Sequence, residues 1–442
     1  MRLTSSEIGA ACGGRVLGPE VVVDGASFDS RATLPGELFV PVVAERDGHG
    51  YVGAAIDAGA VAYLTSEGEL DRRATAIVVT DTSAALMDLA RSARQRLGDR
   101  VVGVTGSVGK TTVKDLTAAV LARIFRTAAN PRSFNNELGL PATILGAPDG
   151  TEATVLEMGM RGFGEIARLC KVARPTVGVI TLIGEAHTGR VGGIEGVARA
   201  KGELVEALPA DGTAILNADQ PICWTLGRRT AARVLGFGAE HGDVRATGIE
   251  LDESACARFV LVSDWGRAAV HLGVAGRHNA VNAAAAAAVG LVLGVPLAEV
   301  VAGLEGARLS PWRMELRRTD SGALVLNDAY NANPTSMHAA LDALAGLAGA
   351  GRRVAVLGPM AELDDDGPAA HGAVARRAAE LGVQVVAVGT GDYGIDPTIE
   401  LADLAAVIAA VGPLARGDAV LVKGSRIAEL ERVADALAPP PA

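Results

Sequence analysis

The stretch Val101-Val-Gly103-Val-Thr-Gly106-Ser-Val-Gly109-Lys110-Thr111-Thr112 decides how the rest of the chain is read. Val101–Val104 is a short apolar run that predicts a strand, and the apolar-periodic segment through Ile124 predicts a helix. The glycines between them let backbone amides converge on phosphate oxygens at the positive end of that helix. Gly106, Ser107, Gly109, Lys110, Thr111 and Thr112 are the candidate nucleotide-binding residues. Lys110 would neutralise the β/γ-phosphates, and Thr111 would hold Mg²⁺. The spacing departs from the common G-x-x-x-x-G-K, because Val104 stands where its first glycine is expected. Alone, the loop leaves an ATPase, a GTPase, a kinase and a ligase open.

Outward from the loop, Ala153–Glu157, Val177–Ile183 and Thr213–Asn217 read as further strands separated by helical stretches. That alternation is the mark of a parallel α/β sheet. Asn282 to Leu304 is mostly Ala, Val and Leu, interrupted by Pro296 and Glu299, and reads as a buried helix plus a turn rather than a membrane span. After about Leu309 a second alternation begins, with strands at Ala323–Asn327, Arg353–Gly358, Val383–Gly389 and Ala419–Val422. Its helices fall near Ser336–Ala348, Gly372–Leu381, Leu401–Ala410 and Arg426–Ala438, a Rossmann-like pattern. Before Arg100 the order is mixed, with strands at Val21–Val23, Leu38–Val43 and Val61–Thr65 and a helix over Ser83–Gly98. The expectation is an α/β protein of three domains: residues 1–98, a central P-loop mononucleotide-binding domain with a parallel sheet over 99–308, and a C-terminal Rossmann-like domain over 309–442.

The chain has 442 residues, enough for about three domains at roughly 150 residues each. Its 41 basic and 51 acidic side chains give a formal net charge of -10, which argues against a nucleic-acid-binding face. A mean hydropathy of +0.28 comes from Ala, Gly, Val and Leu spread along the chain. Met1–Ala10 lacks the apolar centre of a signal peptide. Cys12, Cys170, Cys223 and Cys256 lie far apart, so neither a zinc site nor a disulfide framework is expected, and a reducing cytoplasm fits. Only five of the basic residues are Lys, at 110, 114, 171, 201 and 423. In an Arg-rich chain, the remaining Lys are those where a compact, modifiable amine is needed rather than a planar fork.

Three residues after the loop narrow the chemistry. Glu157 ends an apolar strand, where a metal ligand beside a P-loop strand belongs. His187 follows another strand, and Lys201 lies 14 residues later in Ala200-Lys-Gly-Glu203. Together they suggest one metal–phosphate site.

These segments resemble the ATP-dependent Mur ligases of bacterial cell-wall synthesis from about Phe28 to Ala436. The matching stretches are Phe28-Asp-Ser-Arg31, Pro35-Gly-Glu-Leu-Phe-Val40, the P-loop, Ser133-Phe-Asn-Asn136-Glu-Leu-Gly-Leu-Pro141, Leu156-Glu-Met-Gly159, Glu185-Ala-His187, Ala200-Lys-Gly-Glu203 and Gly276-Arg-His-Asn279-Ala-Val-Asn282. In the C-terminal third they are Asn327-Asp-Ala-Tyr-Asn-Ala-Asn-Pro334, Met360-Ala-Glu-Leu363 and Val422-Lys-Gly-Ser-Arg426. The P-loop and Lys-Gly-Glu motifs are shared more loosely with folylpolyglutamate synthetases. The C-terminal segments are similar to the branch that joins D-alanyl-D-alanine to UDP-N-acetylmuramoyl-tripeptide in peptidoglycan precursor synthesis, and so serves cell shape and division.

The resemblance implies a set of roles. Lys110 would bind phosphate. Of two Mg²⁺, one would be held by Thr111 and Glu157, the other by Glu157, His187 and a carbamylated Lys201. Asn282 would face the adenine, while Arg313, Asp328, Tyr330 and Asn331 would meet ATP from the C-terminal domain. Ser30 and Arg31 would hold the uridine-diphospho sugar, so that the first domain binds UDP. Asn135 and Asn136 would line the muramoyl-peptide path, and Lys423 and Arg426 would grip the dipeptide or peptide carboxylates. The implied partners are the two small-molecule substrates, with no nucleic acid, no membrane span and a monomeric state. Three positions depart from the family pattern: Leu182 for a frequent Asn, Pro359 for an acidic residue and Trp312 for a small one. The rivals are a sibling ligase with another acceptor, a P-loop switch ATPase and a catalytically dead binding module. Against glutamate or diaminopimelate addition, the C-terminal third has no D-N-P-R-like segment.

Overall fold

A computed structural model describes residues 1–44, 46–66, 70–131, 133–184, 191–347, 349, 351–361, 363 and 367–440. Its largest sheet has nine strands, in the spatial order Gly266–Ala275, Cys256–Ser263, Val244–Leu251, Arg233–Gly238, Thr213–Asn217, Val177–Ile180, Arg100–Thr105, Ala153–Glu157 and Thr127–Ala129. Strand Arg100–Thr105 is paired in parallel on both sides, to Ala153–Glu157 and to Val177–Ile180. Its four central residues are buried Val and Gly, the near-continuous apolar run of a strand covered on both faces. The P-loop and the end of the Glu157 strand therefore open at the same edge.

The expected parallel sheet is only part of what forms. Val244–Leu251, Cys256–Ser263 and Gly266–Ala275 make an antiparallel meander on one flank. In Val244–Leu251 the inner half alternates buried and partly buried residues, as expected of strands with one face against the core. The Ala-rich stretch also differs from its expected helix plus turn. It forms two helices, His278–Val292 and Leu297–Glu305, with Pro296 capping the second. Ala283 through Ala288 are all buried. Small residues let these helices lie close on the P-loop helix Lys110–Leu121: a Cβ on Gly303 would come within 2.6 Å of Val120 Cα. No side chain larger than hydrogen fits there without moving backbone.

The preceding residues form a five-stranded sheet, in the order Arg15–Leu17, Thr75–Val78, Ala62–Thr65, Leu38–Phe39 and Ala26–Ser27. The strand at Leu38 is only two residues long, not the six expected, and the Thr75–Val78 strand is an addition. The sheet joins one face of the central one through a shared core that includes Leu86, Leu89, Ile144, Leu169 and Val172.

The final sheet has the order Glu315–Arg318, Leu324–Asn327, Ala419–Lys423, Arg353–Leu357 and Gln384–Ala387, all parallel except the first pair. Separate apolar clusters cover its two faces. The helix expected over Arg426–Ala438 is broken, with a 3₁₀ turn at Arg426–Ala428 and a helix at Glu431–Leu437. Glu429, at φ 45°, makes the break.

Candidate active site

The phosphate loop is clasped from the neighbouring strand end. Gly106 has φ 151°, and a Cβ there would lie 1.9 Å from Thr181 Oγ1. Thr181 Oγ1 donates to Val108 O at 2.5 Å, and Ser107 N donates to Leu182 O at 2.7 Å. Ser107 Oγ both donates to Gly184 O and accepts from Gly184 N. Leu182 thus serves the loop through its carbonyl, so its departure from the family's Asn leaves this bond intact. Gly109, at φ 86°, caps the helix, and Lys110 Nζ donates to Gly106 O at 2.8 Å, curling over the loop's own carbonyls. Thr112 is buried in the first turn.

Around the helix start, hard oxygen donors gather. Thr111 Oγ1 donates to Glu157 Oε2 at 2.8 Å and lies 3.3 Å from Ser133 Oγ. Asn135 Nδ2 donates to Glu157 Oε1 at 2.7 Å, while Glu157 N donates to Asn130 Oδ1 at 2.6 Å. Glu157 is therefore fixed by backbone and by both carboxylate oxygens, and is 1% exposed. This hydroxyl–carboxylate set suits Mg²⁺, which takes few protein oxygens and completes its shell with water and phosphate. Lys201 is buried on helix Gly193–Glu206. His187 lies outside the described residues, as do Glu185, Ala186 and Glu362 of the motifs. Among the described residues no three His, Cys, Asp or Glu cluster as a metal site.

The C-terminal part meets this cluster through Arg313. Its Nη2 donates to Thr111 Oγ1 at 2.9 Å, and its guanidinium lies 4.1 Å from the Tyr330 ring centre. Asp328 Oδ1 accepts from Met314 N, and Asp328 Oδ2 accepts from Lys423 Nζ at 2.5 Å. Lys423 also donates to Asn331 O at 2.8 Å. It is 2% exposed, and burial pushes its ammonium below its ordinary range against the pull of Asp328. Lys423, expected to grip substrate, here braces the Asp328–Asn331 loop. Arg426 pairs with Glu431 and stacks on Trp312, its ring centre 4.6 Å away. Pro359 accepts from Ser425 N through its carbonyl.

The other expected residues are placed as follows. Asn282 abuts the loop, its Oδ1 2.8 Å from where a Gly109 Cβ would be, and its Nδ2 donates to Asn279. Asn136 Oδ1 accepts from Leu138 N and Gly139 N, capping helix Gly139–Gly146 rather than standing open. Ser30 and Arg31 lie on an outer loop, where Arg31 makes a bidentate pair with Asp29 and holds its carboxyl below the usual range. That loop meets the Asn135 segment through Phe28 and Phe134, whose ring centres are 5.4 Å apart.

Two members of the site were missed. Asn130 anchors Glu157, and Lys114 Nζ donates to Asn130 O at 2.8 Å while pairing with Asp115 at 2.8 Å. The scarcity of Lys was the signal for Lys114. An Asn on its own carries none.

A strand, a phosphate loop and a strand-end carboxylate, met by an arginine from the segment that leads into a second α/β sheet, define a nucleotide-dependent enzyme. The Mur ligase middle domain model matches residues 104–290, and the Mur ligase, glutamate ligase domain model matches residues 312–426. The chain belongs to the Mur ligase family. Within it, the chain is 39% identical to the UDP-N-acetylmuramoyl-tripeptide–D-alanyl-D-alanine ligase of Mycobacterium tuberculosis, over 99% of this chain and 98% of that one. The crystal structure of MurF from Acinetobacter baumannii superposes with a TM-score of 0.86 at 31% identity, covering 99% of both chains. MurF of Thermotoga maritima in complex with ADP does so with a TM-score of 0.80 at 28% identity, over 94% of this chain and 97% of that one.

Proposed function

We propose that this chain is an ATP-dependent ligase that joins D-alanyl-D-alanine to UDP-N-acetylmuramoyl-tripeptide in peptidoglycan precursor synthesis. The observation that carries the chemistry is the convergence of Lys110, Thr111, Glu157 and Arg313 at one strand edge. Full-length similarity to ligases of that name carries the choice of acceptor.

The residues divide the work. Amides of Gly106 to Thr112 and the Lys110 ammonium hold the β- and γ-phosphates at the helix N-terminus. Thr111 and Glu157 would hold a magnesium ion, which would supply charge neutralisation for phosphoryl transfer. The tripeptide carboxylate attacks the γ-phosphorus, the bond to the ADP oxygen breaks, and an acyl phosphate forms. Arg313 stabilises the charge that moves onto the leaving oxygen. The dipeptide amine then attacks the acyl carbon, an amide forms, and phosphate leaves with the acyl C–O bond pair. The amine's proton passes to solvent. Asp328, Tyr330, Asn331 and Asn282 take the nucleoside; Ser30 and Arg31 the uridine diphosphate; Asn135 the muramoyl peptide, on the segment that Asn136 holds; Arg426 takes the acceptor side, while Lys423 braces the Asp328–Asn331 loop.

The finer assignments belong to the same proposal. Lys201, buried on its helix, would act as a carbamate whose oxygens, with Glu157 and His187, would hold a second Mg²⁺. Arg cannot take that modification. Removing bicarbonate and CO₂ should lower activity, and Lys201→Ala should recover some of it with a small added carboxylate; indifference to both refutes the carbamate. The domains are 1–98, 99–308 and 309–442, with the first binding the uridine diphosphate, and the enzyme works as a cytoplasmic monomer. Among the described residues no helix is long and apolar enough to cross a membrane.

The deciding experiment is ATP-dependent phosphate release with each substrate omitted singly, alongside product mass. Release that needs both substrates, with a product heavier by one dipeptide, is expected. Release with neither marks a switch ATPase, and release with another amine marks a sibling ligase.

A further inference from the structure

Resting on that reaction, we propose that Trp312 is a positioning residue for the acceptor: its indole holds Arg426 so that one guanidinium edge binds the terminal carboxylate of D-alanyl-D-alanine.

The segment Trp312-Arg313-Met314 carries two bulky residues in left-handed backbone, at φ 61° and φ 50°. Such residues rarely adopt it, and it persists where surrounding contacts over-determine it. Here the tethers are visible. Trp312 O accepts from Tyr330 N at 3.3 Å, Met314 N donates to Asp328 Oδ1 at 3.1 Å, and Arg313 lies on Tyr330. The result is that adjacent side chains serve different partners. Arg313 reaches Thr111 Oγ1 beside the phosphate loop, and Trp312 receives the Arg426 guanidinium.

The donors of Arg426 are only partly used. One face of the fork is against the indole, and Nη1 is on Glu431 Oε1. Glu431 Oε2 is buried with no hydrogen-bond partner, so that carboxylate does not close over a second edge. The Nε–Nη2 edge has no partner among the described residues, and the side chain is 46% exposed. A planar edge of two parallel N–H groups matches a carboxylate bidentately, and a ring face pre-orients it. The residue stacked on Arg426 is the chain neighbour of Arg313, which reaches Thr111 Oγ1, so one short segment carries both contacts.

The test compares wild type, Trp312→Gly and Trp312→Phe. Glycine accepts the positive φ without strain, so the unfolding midpoint should stay within a few degrees. Trp312→Gly should raise KM for D-alanyl-D-alanine about tenfold, with kcat within about threefold and KM for ATP and for UDP-N-acetylmuramoyl-tripeptide unchanged; tenfold is about 1.4 kcal/mol. Trp312→Phe should stay within about threefold of wild type. D-alanyl-D-alaninamide, which lacks the carboxylate, should be a poor acceptor for wild type, and Trp312→Gly should not worsen it. A rise shared by all three substrates, or an equal loss on the amide, overturns the proposal. No dipeptide ligation by wild type would overturn the underlying reaction, and this inference with it.

Discussion

Replacing Gly106 by Ala tests whether the loop is shaped by its neighbours or by its own sequence. The residue's φ of 151° lies in territory that other residues occupy at a cost of about 1–3 kcal/mol. The added Cβ would also stand 1.9 Å from Thr181 Oγ1, so that hydroxyl must move. Moving it breaks the 2.5 Å bond to Val108 O inside the protein, worth about 1–3 kcal/mol when a buried group is left unpaired. The two parts sum to about 2–6 kcal/mol, a large share of a typical folding free energy of about 5–15 kcal/mol. The loss should appear in urea unfolding and as weakened ADP binding by calorimetry.

A second substitution separates the two parts. In Thr181→Ala the hydroxyl is gone, and the next atom facing the Cβ that Gly106→Ala adds is Leu182 N at 3.1 Å. The double variant should then keep the backbone strain but lose the clash, giving a favourable coupling of about 1–3 kcal/mol against the sum of the singles. Additivity within about 0.5 kcal/mol would refute the reasoning, because it would mean the clash contributes nothing. Gly109→Ala is the milder control. Its Cβ meets only the movable amide of Asn282 at 2.8 Å, so about 1–2 kcal/mol of left-handed strain should dominate.

Asn130→Ala removes the buried acceptor for Glu157 N and the part-buried donor to Phe134 O, so it should lose about 2–4 kcal/mol of stability and more than tenfold in kcat; wild-type kcat with lowered stability would show that Asn130 serves the fold alone. Arg313→Lys should cut kcat/KM by about 100-fold with little change in melting, because Lys can neither stack on Tyr330 nor fork toward Thr111; an active enzyme would remove Arg313 from the reaction. Lys423 bears on pH. Burial lowers its folded-state pKa, so between that value and the ordinary 10.5 the unfolded chain keeps a proton that the folded chain has released. Stability carried by this group should therefore rise with pH across that window, by at most about 1.4 kcal/mol per pH unit. The Asp328→Asn, Lys423→Met pair should lack that rise in chemical unfolding scans, and parallel curves for the two proteins would disprove it.

Sequence reading reached the parts of the site whose signal is local. Ala153–Glu157 and Thr213–Asn217 form at the residues expected, because a buried parallel strand is an unbroken apolar run ended by a polar residue. The phosphate loop is legible for the same reason, since its glycines, lysine and threonines act through one strand–helix junction. The antiparallel meander at 244–275 was missed although its residues alternate, because attention to βα units leaves no place for a strand with one open face. Asn130 was missed because an asparagine before a proline reads as turn chemistry, while its worth lies in a bond made 27 residues away.

Arg313 shows where local reading ends. Its bond to Thr111 spans 202 residues, so no periodicity or spacing contains it. Family resemblance brought Arg313 toward the phosphates, but not the means by which it gets there. Those means are Trp312 and Met314 in left-handed backbone, Asp328 receiving the Met314 amide, and Lys423 bracing Asp328 from below. Lys423 then has a physical reason to be one of five lysines in an arginine-rich chain. A compact ammonium reaches three oxygens of one loop from a buried position, where a planar guanidinium has no room to lie flat. Lys423 so fixes the loop that receives the Met314 amide next to Arg313, and the acceptor grip proposed above rests on Arg426, three residues on.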